Sequence, residues 1–268
     1  MSSLSLSRAW DETRSILLHD GQLLGTVALA LIVLPQTIFA VIGAPVGPQY
    51  SGLSLIAYFV VILLGCAAQI ALNRLAIGPS VTVGSAIATG FKRLPSVAAV
   101  GLLAAIAVMV VAIVLVMILT STHLMTMPSA GQAPPSLLLL LLVLVTLLFA
   151  IFVLIFPLAA VETGNPLRLV ARAWELSRHN YLRLLAFVVI IFVGLSLVVG
   201  ATVMGLGSVI LLALGKPVPG SVSALTLGII SGIVQACFTI VTALMMARIY
   251  VQLAGPGEAQ ASVPSSGT

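Results

Sequence analysis

Six carboxylates, three histidines and two cysteines are the residues of this chain most apt for acid–base, thiol or metal chemistry, and their spacing serves none of the three. His19, His123 and His179 divide between the two ends of the protein once its apolar runs are drawn as membrane crossings. They therefore cannot supply three ligands to one metal, and they read as solvated or interfacial side chains. Cys66 and Cys237 sit inside apolar runs with no CxxC partner, which makes them small packing residues rather than a disulfide or a metal pair. Asp20 and Glu162 could approach each other at one membrane boundary, but an acid and a base divide their roles only in a defined cleft. No glycine-rich nucleotide loop and no nucleophile elbow is present. The expectation is a protein with no catalytic site, no metal and no cofactor.

What must position these residues is a set of very apolar helices. The 268 residues are 61% hydrophobic and 6% charged, with a mean hydropathy of +1.28, whereas about a quarter of a soluble domain is charged. Six runs reach the ~20 residues that a bilayer core demands: 23 to 43, 53 to 73, 96 to 120, 136 to 160, 184 to 210 and 223 to 248. The reading is an all-α membrane protein with six transmembrane helices in a single domain over 1–253, followed by a disordered polar tail at 254–268. Asp11, Glu12 and Asp20 precede the first run, which predicts a retained membrane helix rather than a cleaved signal peptide. Intramembrane ionisable residues mark proton relays and ion pathways, and none lies within a span away from its ends. That argues against a proton-driven pump.

Charge sets the orientation. The loops near 43–52, 121–135 and 212–222 hold Lys216 as their one basic residue, while the other ten Lys and Arg lie on the opposite side. The positive-inside rule then places both termini in the cytoplasm. The net charge of +5 follows from this distribution, and no nucleic-acid partner is expected.

The scarce charges and both tryptophans recur in one phrase. RAWDETR at Arg8 aligns with RAWELSR at Arg172, pairing Trp10 with Trp174, Asp11 with Glu175 and Arg14 with Arg178. Leu6, Ala9, Trp10, Thr13, Ile16 and Leu17 follow the spacing of one helical face, so each phrase predicts an amphipathic helix lying at the cytoplasmic interface with its Trp at headgroup level. A fainter third copy, GPSVTVGSAIATGFKRLP, sets Pro79 under Pro166, Ala86 under Ala173 and Leu94 under Tyr181. Each copy leads into a span. The chain thus reads as three parallel repeats, about 4–73, 79–160 and 166–248, each an interfacial helix, an outward span and an inward span.

Charges three or four residues apart in these helices (Arg8 with Asp11 or Glu12, Asp11 with Arg14, Arg172 with Glu175, Glu175 with Arg178) support a helix by roughly 0.2 to 0.5 kcal/mol each. Beyond that, the collar residues Arg8, Trp10, Arg14, Lys92, Arg93, Arg168, Arg172, Trp174, Arg178 and Arg183 are candidate contacts for lipids, anionic ones among them, or for a protein partner. Each basic residue near the surface contributes about 1 kcal/mol toward acidic lipid. Inside the spans, Gln36, Gln235 and Thr239 are candidates to line a polar path. Gln235 shares a helical face with Gly228, Gly232, Ala236 and Thr239, a small-residue stripe that lets helices approach closely. It reads either as an interhelical hydrogen bond or as a substrate contact. Gln69 and Asn73 lie near the cytoplasmic end of their span and can reach the interface. Pro35 and Pro157 are candidate bends.

Taken together, the order of elements, the Arg-Ala-Trp-acid phrase, the GPSVTVGSAIATGFKRLP connector and the RIYVQL exit from the last span resemble the bacterial glycerophosphoryl diester phosphodiesterase membrane domain family, over nearly the whole chain. In that family the membrane part is sometimes fused to a soluble phosphodiesterase barrel using histidine, carboxylates and a metal. Nothing here matches that barrel. The resemblance implies a bacterial inner-membrane protein without its catalytic activity. The expected function is non-catalytic engagement of lipid or a partner through the basic collar, the alternative being a transporter or lipid-translocating protein with a path between the three repeats.

Overall fold

A run of apolar residues can satisfy its backbone in lipid only as a helix or a closed barrel, and this chain forms helices. The computed structural model describes residues 4–42, 52–78, 81–121, 139, 142–147, 152–162 and 165–255, with no strand among them. Five helical stretches are long and apolar enough to cross a membrane: Leu6–Ile42, Leu55–Ile77, Val83–Ile118, Tyr181–Leu214 and Val222–Ala254. The chain is a multi-pass membrane protein. Of the expected crossing at 136–160, residues 136–138, 140–141 and 148–151 lie outside the described residues, as do the loops at 43–51 and 122–138 and the tail from 256.

The first stretch comprises α1 (Leu6–Ala28), a wider π turn (Leu29–Val33) and α2 (Leu34–Ile42). Ser5 caps α1 by accepting from the Arg8 amide. Pro35 follows directly on the π turn. It has no N–H to give the Leu31 carbonyl, and its ring would press on that oxygen in an ordinary α-helix, a clash that a wider turn just upstream relieves. This turn also buries three consecutive residues, Leu31, Ile32 and Val33. The following helices are α3 (Gly52–Ile77), α4 (Val83–Ser121), α5 (Ile155–Val161), α6 (Pro166–Ser177) and α7 (Tyr181–Ala201). A second π turn at Thr202–Leu206 leads into α8 (Gly207–Leu214), and α9 (Val222–Ala254) closes the bundle. Pro157 sits in the first turn of the short α5, where a missing N–H costs little, and Pro95 lies inside the unbroken α4.

One expectation is corrected. The amphipathic segments at 6–17 and 83–94 are not separate helices before their spans, because α1 and α4 each continue unbroken through both parts. At ~1.5 Å per residue, the 37-residue Leu6–Ile42 stretch is roughly 55 Å long, against a hydrocarbon core of ~30 Å, and the charged turns form the surplus length. Only the segment at 166 is a helix apart: α6 ends at Ser177, and a turn over 178–180 leads to Asn180, which leaves the helical region (φ −122°, ψ 21°) before α7.

The three segments nonetheless bury corresponding positions. Ala9 and Thr13, Ala86 and Gly90, and Ala173 and Ser177 are buried pairs four residues apart. Further along come Leu24 and Val27, Val97 and Val100, and Leu184 and Phe187, each pair three apart. The gap between the two pairs is four residues longer in the first segment. That is about one helical turn, so the buried face stays in phase.

These faces meet the helices running the other way. α1 packs on α9, α4 on α3 and α6 on α5, while α3, α5 and α9 all touch one another. At Gly90, a Cβ would stand 2.5 Å from the Ala67 carbonyl oxygen, so the absence of a side chain is what permits α4 to lie so close to α3. The core therefore sits among α3, α5 and α9, and α4 and α7 turn large apolar side chains such as Leu102, Met109, Ile190 and Leu197 outward. An apolar exterior of this extent is tolerable only in lipid.

Candidate functional site

The ends of several helices converge where the basic residues gather. The Ser5 amide donates to Gln252 Oε1 at 3.1 Å, tying the start of α1 to the end of α9. Arg183 Nη1 donates to the Leu4 carbonyl at 2.8 Å, and Arg248 Nη2 to the Ala76 carbonyl, at the end of α3, at 2.7 Å. Arg248, beside the last carbonyls of α3, also meets that helix's dipole favourably.

Of the expected charge pairs, Arg8 Nε meets Glu12 Oε1 at 2.9 Å and Arg172 Nη1 meets Glu175 Oε2 at 2.9 Å. Arg172 also approaches Glu162 at 3.9 Å. The Asp11–Arg14 and Glu175–Arg178 pairs do not form among the described residues. Arg14, Lys92, Arg168 and Arg178 are exposed, and Arg93 is half-buried. Trp10 and Trp174 are 51% and 55% exposed, each on the outer side of a helix whose inner side holds the buried Ala9 or Ala173. A ring so placed suits the headgroup layer.

Other expectations divide. His19 and His179 are exposed, His123 lies outside the described residues, and no cluster of potential metal ligands occurs among the described residues. Glu162 pairs with Arg172 while Asp20 lines a cavity elsewhere, so the two carboxylates are not brought together as a pair. Gln69 and Asn73 do not reach the interface: both are buried, with Gln69 against Met246 Sδ and Asn73 Nδ2 donating to the Gln69 carbonyl at 2.7 Å. Arg74 beside them is only 9% exposed, and its Nη1 has no partner among the described residues. Sequence reasoning treated this arginine as a marker of orientation. The available signal was its place in the last turn of α3, flanked by Asn73 and Leu75 rather than by a polar run.

Within the spans, Gln36, Gln235 and Thr239 come together. All three line one cavity of about 210 Å³, with Leu31, Ile32, Val61, Ile62 and Gly65. A second cavity of about 340 Å³ shares Ile62, Gly65, Gln235 and Thr239 with the first and continues past Cys66, Gln69 and Thr242. The Thr242 hydroxyl is occupied by the Phe238 carbonyl of its own helix at 2.7 Å. Gln235 is exposed and makes no hydrogen bond among the described residues. The small-residue stripe is buried as expected: a Cβ on Gly232 would lie 3.1 Å from the Val33 Cα, and one on Gly228 2.7 Å from the Ala40 Cβ. It seats α9 against the π turn and α2, leaving Gln235 at the edge of that contact.

Comparison with protein-family models, curated proteins and solved structures finds no match to this chain.

Proposed function

We propose that this chain is a non-catalytic bacterial inner-membrane protein with both termini in the cytoplasm, built from three tandem units, which holds anionic lipid at its basic end. The carrying observation is that Arg14, Arg168, Arg178 and Lys92 are exposed at the end where Trp10 and Trp174 also face outward. The tandem arrangement is supported by the corresponding buried pairs and by the contact of α1 with α9, which repeats the contacts of α4 with α3 and of α6 with α5. It agrees with the resemblance to the glycerophosphoryl diester phosphodiesterase membrane domain family, whose catalytic name is not carried over. Changing Arg14, Arg168 and Arg178 together to Gln, at about 1 kcal/mol each, is expected to weaken retention of phosphoglycerol lipid about a hundredfold. Native mass spectrometry of the full chain would measure it, and unchanged retention would refute the reading.

A second reading, a lipid-translocating or transport path between the units, is favoured by the adjoining cavities that Gln36, Gln235 and Thr239 line. Gln235→Leu is its test. Loss of lipid scrambling in proteoliposomes with an unchanged melting temperature supports a path, and unchanged scrambling removes it.

A further inference from the structure

A cavity of about 390 Å³ at the basic end is lined by two opposite charges, Asp20 of α1 and Arg248 of α9. Opposite charges sharing a space ordinarily close on each other, yet no ion pair joins these two among the described residues. Arg248 is held away. Its Nη2 is spent on the Ala76 carbonyl, its buried Nε has no partner, and Glu12, the acidic residue within electrostatic reach of it, is a different one. Asp20 has no hydrogen bond or ion pair among the described residues. The rest of the lining is mixed, polar and apolar surface in similar shares, the aliphatic side chains coming from Ile16, Leu23, Leu75 and Val81. The volume falls within the ~300–1,000 Å³ of small-ligand sites.

A cavity lined by a cation, an anion that is not paired with it and several aliphatic side chains complements a zwitterion carrying an apolar tail. We propose that it binds the headgroup of a phospholipid bearing a primary amine, the phosphate toward Arg248 and the ammonium toward Asp20. The lining discriminates among amines. A quaternary ammonium is recognised by aromatic faces, and no lining residue is aromatic. A carboxylate accepts hydrogen bonds that a primary ammonium gives and a trimethylated one cannot. The site rests on the reading of the basic end as lipid-facing, but it selects a different headgroup from the exposed arginines.

Native mass spectrometry of the full chain with phosphatidylethanolamine, phosphatidylcholine and phosphatidylglycerol separates these claims. The ethanolamine lipid is expected to be retained at least about tenfold over the choline lipid, which corresponds to one charge-assisted hydrogen bond. Asp20→Asn, a near-isosteric change, is expected to bring that ratio close to one while retention of phosphatidylglycerol stays as in the native chain. Equal retention of ethanolamine and choline lipids by the native chain overturns the proposal, as does a preference that survives in Asp20→Asn. Free phosphoethanolamine should compete only weakly, and competition as strong as the lipid's would overturn a lipid source. Failure of the anionic-lipid reading would appear only in the phosphatidylglycerol arm, with the ethanolamine-to-choline ratio intact.

Discussion

Gly90 shows how much one missing methyl group decides. A side chain there would collide with the backbone oxygen of Ala67 at 2.5 Å, and a carbonyl in a helix cannot swing aside as a side chain can. Gly90→Ala is expected to destabilise the protein by about 1–3 kcal/mol, whereas Gly84→Ala, with nothing within 4 Å of the new Cβ, should be neutral or slightly stabilising because alanine is the better helix former. Thermal unfolding in one detergent would compare them, and equal melting temperatures would contradict the close α3–α4 contact. The polar residues Asn73 and Arg74 make the complementary point. Their burial could not be read from position alone, because reaching the interface depends on which neighbours stand between a side chain and water.

Among the elements, the π turn at Leu29–Val33 links a neighbouring proline to a distant contact. Pro35 fits the wider turn, and the turn places Val33 against Gly232 of α9. Pro35→Ala restores a donor for the Leu31 carbonyl and allows ordinary α-helical winding, which rotates Val33 off that glycine. The expected result is a loss of about 1–2 kcal/mol in stability, despite alanine's higher helix propensity. A melting temperature that rises would show that the turn answers only to the proline. The amphipathic segments belong to this scale too. Their apolar periodicity was legible in the sequence, but it set Ala9 and Trp10 on one face, whereas the structure buries Ala9 and turns Trp10 outward. Their continuity with the spans was not legible, since the periodic pattern of a helix carries no mark of whether the next turn bends. Only Asn180, a residue that competes with its own backbone for hydrogen bonds, accompanies a break.

At the scale of the whole molecule, the meeting of the ends and the side each loop faces can both be measured. Ser5 and Gln252 are hydrogen-bonded across nearly the full length of the chain, so a Ser5→Cys, Gln252→Cys pair should cross-link within one molecule when treated with a short bis-maleimide. Failure to do so would separate α1 from α9. The ten-to-one distribution of basic residues predicts that Lys216→Cys reacts with an impermeant maleimide added outside intact cells and Arg168→Cys does not, in a background with Cys66 and Cys237 changed to Ala. Labelling of both from the same side would break the topology.

What the sequence determined by itself was local in character: helices long and apolar enough to cross lipid, the small residues on their inner faces, and the end at which basic residues collect. Length, periodicity and charge asymmetry are properties of neighbouring residues, and the bilayer's thickness and dielectric act on them directly. The tertiary structure alone decided that Gln36 and Gln235 line one cavity, that Asp20 and Arg248 line another without pairing, and that Arg74 is left only 9% exposed. Each of these depends on which faces of separate helices come into register, and that is settled by the packing of glycines and branched side chains some two hundred residues apart rather than by any pattern along the chain.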